Sequence, residues 1–268
     1  MRNNGHVLNY QQYNFVKYSE MFLLREGSHS TDDPLFVRIR GESKAGKEPL
    51  LFPEAGVARW FYESGMAEKN LIEWVRNTFV REDKAMLDIG AHVGTYSWMC
   101  GHKAEHVYAF ECSPKTFCYL AANIALHGLE YKISPFPFAL GDAEGELEYI
   151  ERSADGGGNG VKQLSDLDNR CQRVKVRVKT LDSFGLTNIG FIKMDVEGFE
   201  KEVLVGGQQT LKDNGFPPIL FESWGDWKEA TGVPAIKIRE ELFAFLNDLG
   251  YKIVTVSGVQ DTFLATHT

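Results

Sequence analysis

Cysteine is scarce in this sequence, and its placement argues against the chemistry that clustered thiols perform. Only four of the 268 residues are cysteines. None forms a Cys-x-x-Cys pair, and none lies with a histidine at the spacing of a zinc site. We therefore expect reduced thiols that bind no metal and form no disulfide framework. They are Cys100, Cys112, Cys118 and Cys171.

Long apolar runs are also missing. No segment approaches the run of about 18–20 apolar residues that spans a bilayer. The start, MRNNGH, is followed by polar and aromatic residues and lacks the run of about 7–15 apolar residues found in a signal peptide. These absences predict a cytoplasmic protein without a membrane span.

The sequence has no excess of positive charge. It carries 29 Lys and Arg against 37 Asp and Glu, which gives a formal net charge of −8. Proteins that bind nucleic acid without sequence preference gain much of their affinity by neutralising phosphates with basic side chains. The acidic balance therefore weighs against a nucleic-acid partner, although a local basic patch stays compatible with it.

What is present is the composition of a globular protein, with 43% hydrophobic and 25% charged residues. The length fits one large domain with an added segment. From about residue 84, short apolar runs alternate with amphipathic stretches, a pattern typical of a parallel sheet with helices between its strands. Residues 1–50 lack this alternation and are predicted to form a cap, with residues 51–268 forming the main domain.

The alternation predicts individual elements. Ser113 and Pro114 have the residue types of an N-cap and a first helical position. Residues 153–160, SADGGGNG, are predicted to form a mobile loop. The predicted strands are 84–90, 105–111, 131–140, 146–150, 174–178, 189–195 and 218–222, with a closing hairpin of 251–256 and 262–266, and the predicted helices are 96–101, 114–127, 199–212 and 235–249.

The segment from Met86 to Ser97, MLDIGAHVGTYS, has the form of a cofactor-binding loop. A strand that ends near Asp88 and turns on Gly90 and Gly94 into a helix lets the backbone approach a ligand closely. His92 stands where a dinucleotide fingerprint needs its second glycine, which argues against pyrophosphate and a nicotinamide dehydrogenase. A nucleoside with an amino-acid tail fits better, with Asp88 available to its ammonium group.

A second acid ends the next predicted strand. Glu111 follows Asp88 by 23 residues, close to the roughly 20-residue spacing of the acid that binds ribose hydroxyls in such sheets. The alternative is that Asp88 and Glu111 only cap the helices that follow them.

Several segments resemble the FkbM family of S-adenosylmethionine-dependent methyltransferases: DIGAHVG at 88–94, AFECSP at 109–114, NIALHG at 123–128, ALGD at 139–142 and KMDVEGFE at 193–200. The resemblance implies an α/β fold, the seven-stranded Rossmann-like sheet of class I methyltransferases, mostly parallel with an antiparallel last strand and helices on both faces. It also implies O-methylation with S-adenosyl-L-methionine as cofactor. Two positions depart from the usual pattern, since His92 replaces a more usual Asn and Cys112 a common Pro. The implied cofactor-binding residues are Asp88, Gly90, Ala91, His92, Gly94, Glu111 and Cys112, with main-chain contact to adenine from Ala139 and Leu140.

The strand FIKMDVEG is predicted to deliver charged side chains to the reacting centre. Lys193 and Asp195 are two residues apart and so project to one side of a strand. One interpretation is structural, an ion pair of Lys193 with Asp195 or Glu222. The other is catalytic: Asp195 acts as a base or orients the acceptor hydroxyl, and Glu197 and Glu222 bind hydroxyls. Alternatively, Asp195 and Glu222 hold a divalent metal that acidifies the alcohol.

The expected acceptor is a small molecule or glycan. Aromatic residues flanked by carboxylates suit a sugar ring, whose C–H face is apolar. Candidates are the cluster at 60–62, the turn with Trp224 and Trp227, and the glycine loop. Two other functions stay open: ribose 2′-O-methylation of RNA, suggested by Lys193, Asp195 and Glu222, and a non-catalytic binding module. A homo-oligomer is compatible with the aromatic amino-terminal segment.

Overall fold

The computed structural model describes residues 35–38, 49–53, 68–152, 160–161 and 171–267. The strands are β1 (Leu35–Arg38), β2 (Pro49–Phe52), β3 (Ala85–Ile89), β4 (Val107–Phe110), β5 (Ile133–Phe136), β6 (Ala139–Leu140), β7 (Gly145–Arg152), β8 (Gly160–Val161), β9 (Cys171–Lys179), β10 (Ile189–Met194), β11 (Ile219–Glu222), β12 (Tyr251–Thr255) and β13 (Thr262–His267). The helices are α1 (Lys69–Thr78), α2 (Thr95–Gly101), α3 (Pro114–Leu126), α4 (Glu200–Val205), α5 (Gln208–Asp213) and α6 (Ala235–Asp248), with 3₁₀ turns at Leu181–Phe184 and Asp226–Thr231.

Seven strands form the main sheet, in the order β12-β13-β11-β10-β3-β4-β5. The neighbours from β11 to β5 pair in parallel. The last strand, β13, pairs antiparallel with both β11 and β12. This arrangement confirms the fold class expected from the sequence, a mostly parallel Rossmann-like sheet with an antiparallel last strand.

Alternation along β3 separates two apolar cores. Leu87 and Ile89 belong to a core that includes Val203 of α4 and Leu242 of α6. Met86 points to the opposite face and packs in a core with side chains of α1, α2 and α3. Helices therefore cover both faces of the sheet, and even-numbered residues of β3 face α2.

The predicted strand 131–140 is wrong in one respect, because it forms two strands in two different sheets. Pro135 lies within β5, at the edge of the main sheet, where a missing N–H is tolerated. After Pro137 the chain leaves that edge, and β6 joins a four-stranded sheet of order β6-β9-β7-β8. The predicted pair of strands at 146–150 and 174–178 is confirmed as β7 and β9, which pair antiparallel in this second sheet.

The predicted helix 199–212 is also wrong, since it is two short helices, α4 and α5, separated at Gly206 and Gly207. A Cβ atom on Gly206 would lie 2.0 Å from the carbonyl oxygen of Gly141. Only glycine permits this approach of the second sheet to the end of α4.

Parts of the amino-terminal prediction lie outside the described residues. Within them, β1 pairs antiparallel with β2, and Leu50 and Phe52 are completely buried in the core beside α3. Asn123 of α3 accepts a hydrogen bond from the Leu51 N–H and donates one to its carbonyl oxygen. The rest of the predicted cap, the aromatic cluster at 60–62 and residues 153–159 lie outside the described chain.

Candidate active site

A cavity of about 240 Å³ is lined by residues that directly follow β3, β4 and β10, at the carboxyl ends of these parallel strands. Ligands bind at this edge in doubly wound sheets. Three residues predicted for the site, Asp88, Gly94 and Glu222, do not line the cavity. The predicted residues that do are Gly90, Ala91, His92, Glu111, Cys112, Ala139, Leu140, Lys193, Asp195 and Glu197.

Three non-glycine residues of the cavity wall have left-handed backbone conformations. They are Glu68, His92 and Glu197, with φ angles of 53°, 52° and 56°. Side chains with a Cβ adopt this conformation at a cost of about 1–2 kcal/mol. Such strain concentrates at functional sites, where surrounding contacts hold the residue in place.

The absent side chains of Gly90 and Gly94 make room for neighbouring parts of the protein, a role that the motif did not predict. A Cβ on Gly90 would lie 1.8 Å from the Asp195 carbonyl oxygen, and one on Gly94 would lie 2.7 Å from Cδ1 of Leu120. Both glycines also have positive φ angles. Their absent side chains therefore allow the loop after β3 to lie against the turn after β10 and against α3.

Asp88 is completely buried on the face of β3 that meets α2. Its Oδ2 accepts a 2.5 Å hydrogen bond from the Ser97 hydroxyl, while its Oδ1 has no hydrogen-bond partner. Burial raises the pKa of Asp88, and the nearby charge of Lys193 opposes that effect. The carboxylate lies behind the cavity wall, with one oxygen still available for a further bond.

Lys193 pairs in register with Asp88 across the strands β10 and β3. Its Nζ lies 3.8 Å from Asp88 Oδ1 and 3.7 Å from Asp195 Oδ2, and it donates a 2.9 Å hydrogen bond to the Gly90 carbonyl oxygen. Although burial lowers it, the pKa of Lys193 is raised overall by the carboxylates of Asp195 and Asp88. The lysine is thus a charged centre that joins the two strand ends.

Glu111 is buried and held by main-chain donors on both oxygens. Its Oε1 accepts a 2.8 Å hydrogen bond from the N–H of Ser113, and its Oε2 accepts a 2.9 Å bond from the N–H of His92. Burial raises the pKa of Glu111 to about 7. Each oxygen keeps a lone pair, so the fixed carboxylate can bind a pair of hydroxyl groups.

His92 lines the cavity beside this carboxylate. Burial lowers the pKa of His92 to about 4, so the imidazole is neutral at physiological pH. Its Nε2 is buried and has no hydrogen-bond partner. A ligand group is one way to satisfy this atom.

The remaining predicted acids form a cluster beyond Lys193. Asp195 lines the cavity, and its side chain is 38% exposed. Trp224 donates a 3.2 Å hydrogen bond from Nε1 to Glu197 Oε2. Burial, followed by repulsion from Asp195, raises the pKa of Glu197 well above its usual range and that of Glu222 to about 8.

Glu200, which was not predicted as a site residue, shapes the turn that carries these acids. Its Oε1 accepts hydrogen bonds from the N–H groups of Val196, at 3.1 Å, and Gly198, at 3.3 Å. These bonds hold Glu197 between them in its left-handed conformation. Glu200 is therefore part of the support for the site and not a group that lines the cavity.

Sequence reasoning missed several cavity residues. Tyr96 donates a 3.2 Å hydrogen bond from its hydroxyl to Glu68 Oε2, and both side chains line the cavity. Leu147 and Tyr149 reach it from β7 of the second sheet. The alternation of β7 was visible in the sequence, but no local pattern indicates that one of its faces meets the end of β4.

The predicted metal site finds limited support. Asp195 and Glu222 influence each other electrostatically, but over the described ranges no group of three or more His, Cys, Asp or Glu side chains is arranged to hold a metal ion.

In the part of the chain that the structure describes, no helix has the length and apolar character needed to cross a membrane.

Two characterised proteins are similar to this chain. The hexuronic acid methyltransferase AglP of Haloferax volcanii is 27% identical over 150 residues, which cover 56% of this chain and 61% of AglP. The 2-O-methyltransferase NoeI of Sinorhizobium fredii is 25% identical over 154 residues, which cover 51% of this chain and 62% of NoeI. The chain thus spans about three fifths of the length of these relatives.

Among solved structures, a methyltransferase FkbM from Methylobacillus flagellatus superposes with a TM-score of 0.44 at 17% identity, covering 69% of this chain and 44% of that one. An S-adenosylmethionine-dependent O-methyltransferase from Thermotoga maritima gives a TM-score of 0.44 at 10% identity, covering 87% and 77%. The model of the methyltransferase FkbM domain family matches residues 88–253, more than half of the sequence. This protein therefore belongs to the FkbM methyltransferase domain family.

Proposed function

We propose that this protein is an S-adenosylmethionine-dependent O-methyltransferase that methylates a hydroxyl group of a sugar or glycan. The observation that carries the proposal is one cavity that is lined both by the fixed carboxylate of Glu111 and by the side chains of Lys193, Asp195 and Glu197. Family membership supports methyl transfer. The names of the two relatives, a hexuronic acid methyltransferase and a 2-O-methyltransferase, support a sugar hydroxyl as acceptor.

The residues of the cavity fit a nucleoside with an amino-acid tail. Glu111, fixed by two main-chain N–H groups, suits vicinal ribose hydroxyls. Ala139 and Leu140 line the same cavity and offer main-chain groups and apolar surface. His92 Nε2 is a buried polar atom of the cavity wall without a hydrogen-bond partner, and such a tail can satisfy it. S-adenosylmethionine, when bound, supplies an activated methyl group.

The chain must then align the acceptor and take its proton, because the pKa of an alcohol lies far above neutral. Asp195 is suited to this role, since it lines the cavity and its side chain keeps contact with solvent. The Lys193 ammonium group lies 3.7 Å from Asp195 Oδ2 and holds this side chain at the cavity wall. Asp195 acts as the general base and accepts the hydroxyl proton.

Glu197 and Glu222 play a different part. Burial and repulsion from Asp195 raise the pKa values of both groups, which favours their protonated forms. A protonated carboxyl group both donates and accepts hydrogen bonds, which suits neighbouring hydroxyls of a polyhydroxylated ring. Glu197, which lines the cavity, therefore orients the acceptor with its neighbour Glu222, which does not line the cavity, in a supporting part, and Asp195 remains to act as base.

Aromatic side chains near Glu197 support a sugar acceptor. Trp224 contacts Glu197 through its indole N–H, and the Trp227 indole, which is 49% exposed, is held by a 2.7 Å hydrogen bond to Asp261 Oδ2. Lys228 Nζ lies 4.5 Å from the Trp224 ring centre. A fixed, exposed indole is a suitable surface for the C–H face of a sugar.

The proposal is tested in two steps with the wild-type protein, Asp195→Asn, and Asp248→Asn as an exposed control. Calorimetry with S-adenosylhomocysteine measures cofactor binding, and mass spectrometry after incubation with labelled S-adenosylmethionine and a panel of neutral and acidic glycosides measures transfer. We expect Asp195→Asn to bind S-adenosylhomocysteine within about threefold of the wild type and to transfer methyl groups at least about a hundredfold more slowly.

Two outcomes would contradict the proposal. If the wild type does not bind S-adenosylhomocysteine, S-adenosylmethionine is excluded as its cofactor. If Asp195→Asn transfers methyl groups at the wild-type rate, Asp195 is excluded as the general base. Parallel reactions with EDTA test the alternative in which Asp195 and Glu222 hold a divalent cation. Loss of activity in EDTA, restored by added Mg²⁺, would favour that alternative.

A further inference from the structure

Strand β7 of the second sheet turns one face toward the cavity and the chain that follows β4. Side chains alternate along a strand, so Leu147, Tyr149 and Glu151 share a face. Leu147 and Tyr149 line the cavity. Tyr149 also interacts through its hydroxyl with the Cys112 thiol. One face of a strand outside the main sheet therefore meets the residues that end β4 and begin α3.

Glu151 makes the most buried of these contacts. Its Oε1 accepts a short hydrogen bond from the Ser113 hydroxyl, and both residues are less than a tenth exposed. A carboxylate that is removed from solvent needs such a partner, since an unpaired buried charge is costly. The contact thus fixes where Ser113 lies relative to β7.

Ser113 in turn holds Glu111. The N–H of Ser113 donates the 2.8 Å hydrogen bond to Glu111 Oε1, and its hydroxyl accepts a 3.1 Å bond from the N–H of Thr116 as the N-cap of α3. Glu151, Ser113 and Glu111 therefore form a continuous chain of hydrogen bonds from the second sheet to the carboxylate in the cavity wall.

We propose that Glu151 is a positioning residue which, through Ser113, holds Glu111 in the orientation that binds the ribose hydroxyls of the cofactor. The inference rests on the proposed function, because it assigns Glu111 to ribose. Leu147 and Tyr149, on the same face of β7, complete the wall of the cofactor site beside Cys112. Docking of the second sheet and binding of the cofactor are then coupled through one buried contact.

The competing explanation is that Glu151 only anchors the second sheet. The two explanations differ in ligand specificity. If Glu151 is only an anchor, its substitution lowers stability and weakens the binding of all ligands equally. If Glu151 positions Glu111, its substitution weakens the binding of ligands with both ribose hydroxyls more than that of ligands in which one hydroxyl is missing. The ratio of the affinities for S-adenosylhomocysteine and its 2′-deoxy analogue, measured within each variant, separates these cases.

The experiment is calorimetry of full-length variants with both ligands, below the melting temperature of every variant. Glu151→Ala removes the acceptor, Ser113→Gly breaks the same contact from the other side while keeping an acceptable N-cap residue, and Glu151→Gln keeps an oxygen that can accept the hydroxyl. Glu146→Ala is the control, because Glu146 is exposed and on the other face of β7.

We expect Glu151→Ala to bind S-adenosylhomocysteine about tenfold more weakly than the wild type, as for loss of a hydrogen bond to a charged group. Its affinity for the 2′-deoxy analogue falls by less than about threefold. Glu151→Gln and Glu146→Ala stay within about threefold for both ligands. The double variant of Ser113→Gly and Glu151→Ala binds no more weakly than the weaker single variant, because both changes break one contact.

Wild-type affinity of Glu151→Ala for S-adenosylhomocysteine, or an equal loss for both ligands, would overturn the inference and leave the proposed function intact. Absence of binding by the wild type would overturn both. If Glu151→Ala fails to fold, Ser113→Gly carries the same comparison of the two ligands, and an unchanged affinity ratio there overturns the inference.

Discussion

Lys193 donates a 2.9 Å hydrogen bond from Nζ to the carbonyl oxygen of Gly90, and this bond ties the end of β10 to the turn after β3. It places the ammonium group between two carboxylates, at 3.8 Å from Asp88 and 3.7 Å from Asp195. One buried lysine thus balances two acids and fixes the turn that forms the cavity wall.

Replacing Lys193 by methionine is expected to leave both acids without their cation. Because an unpaired buried charge is costly, the free energy of unfolding should fall by about 3 kcal/mol. Affinity for S-adenosylhomocysteine should fall at least about tenfold, since the turn at Gly90 loses its donor. Urea denaturation and calorimetry measure the two effects, with Lys252→Met, at an exposed position of β12, as control. Unchanged stability and affinity would show that the ion pairs of Lys193 contribute neither to the free energy of unfolding nor to cofactor binding.

Gly90→Ala is expected to be far more damaging than Gly128→Ala. Both glycines have positive φ angles, 75° and 64°, so alanine at either position costs about 1–2 kcal/mol in backbone strain. Only at Gly90 would the new Cβ also collide, with the Asp195 carbonyl oxygen, whereas nothing lies within 4 Å at Gly128. Urea denaturation should therefore give a loss near 1–2 kcal/mol for Gly128→Ala and more than about 3 kcal/mol, or no folded protein, for Gly90→Ala. Equal losses would contradict the close approach of the two turns.

Trp224→Phe is expected to slow methyl transfer without weakening cofactor binding. The substitution removes the indole N–H that donates to Glu197 Oε2 and keeps an aromatic ring. We expect kcat/KM for the acceptor to fall about tenfold, because Glu197 loses the donor that holds it. Affinity for S-adenosylhomocysteine should stay within about threefold of the wild type.

Trp98→Phe is the matched control for this experiment. Trp98 is also a buried tryptophan, but its Nε1 has no hydrogen-bond partner. The substitution therefore removes the same atoms without breaking a bond. An equal loss of kcat/KM in the two variants would attribute the effect of Trp224 to packing rather than to its contact with Glu197.

Glu222→Gln is expected to change the pH dependence of stability. The pKa of Glu222 is about 8 in the folded protein and near 4.5 for an ordinary glutamate. Between these values the folded protein keeps a proton that the unfolded chain has released, so its stability falls as pH rises, by up to about 1.4 kcal/mol per pH unit. Glutamine does not ionise, and the variant should gain stability relative to the wild type as pH rises from 5 to 8.5.

Urea denaturation at pH 5, 6.5 and 8.5 measures this difference, and the exposed Glu130→Gln is the control. The control should show no pH-dependent difference from the wild type. A constant difference between Glu222→Gln and the wild type across the three pH values would show that Glu222 is ionised throughout.

The main-sheet strands at the site could be predicted because their local signals agree. The strand before Gly90, the N-cap at Ser113 and the charged end of β10 each follow from residue types at short range. The pairing of β7 with β9 could also be predicted, but the position of the second sheet at the cavity could not, since the alternation along β7 does not show what its face meets. Glu68 gave no signal either, because its place in the cavity depends on the packing of α1 against α2.

The two incorrect elements have physical causes beyond local pattern. Residues 131–140 read as one apolar strand, but after Pro137 the chain finds partners in β9 rather than in the main sheet. The helix predicted for 199–212 ends at Gly206 and Gly207, two weak helix formers, and the Gly141 carbonyl oxygen approaches Gly206 so closely that no side chain fits there. Each depends on a contact with residues distant in sequence.

The position of the cavity contacts along β7 leaves the following segment free to vary in length. Leu147, Tyr149 and Glu151 all precede the end of this strand at Arg152, and the chain joins the same sheet again first at β8, Gly160–Val161, and then at β9, which begins at Cys171. Closing a longer loop costs little, because the entropy of closure grows only with the logarithm of its length. We therefore expect changes in the length of the connections from Arg152 to Gly160 and from Val161 to Cys171 to be tolerated more readily than changes in β7 itself, whose residues hold Glu111.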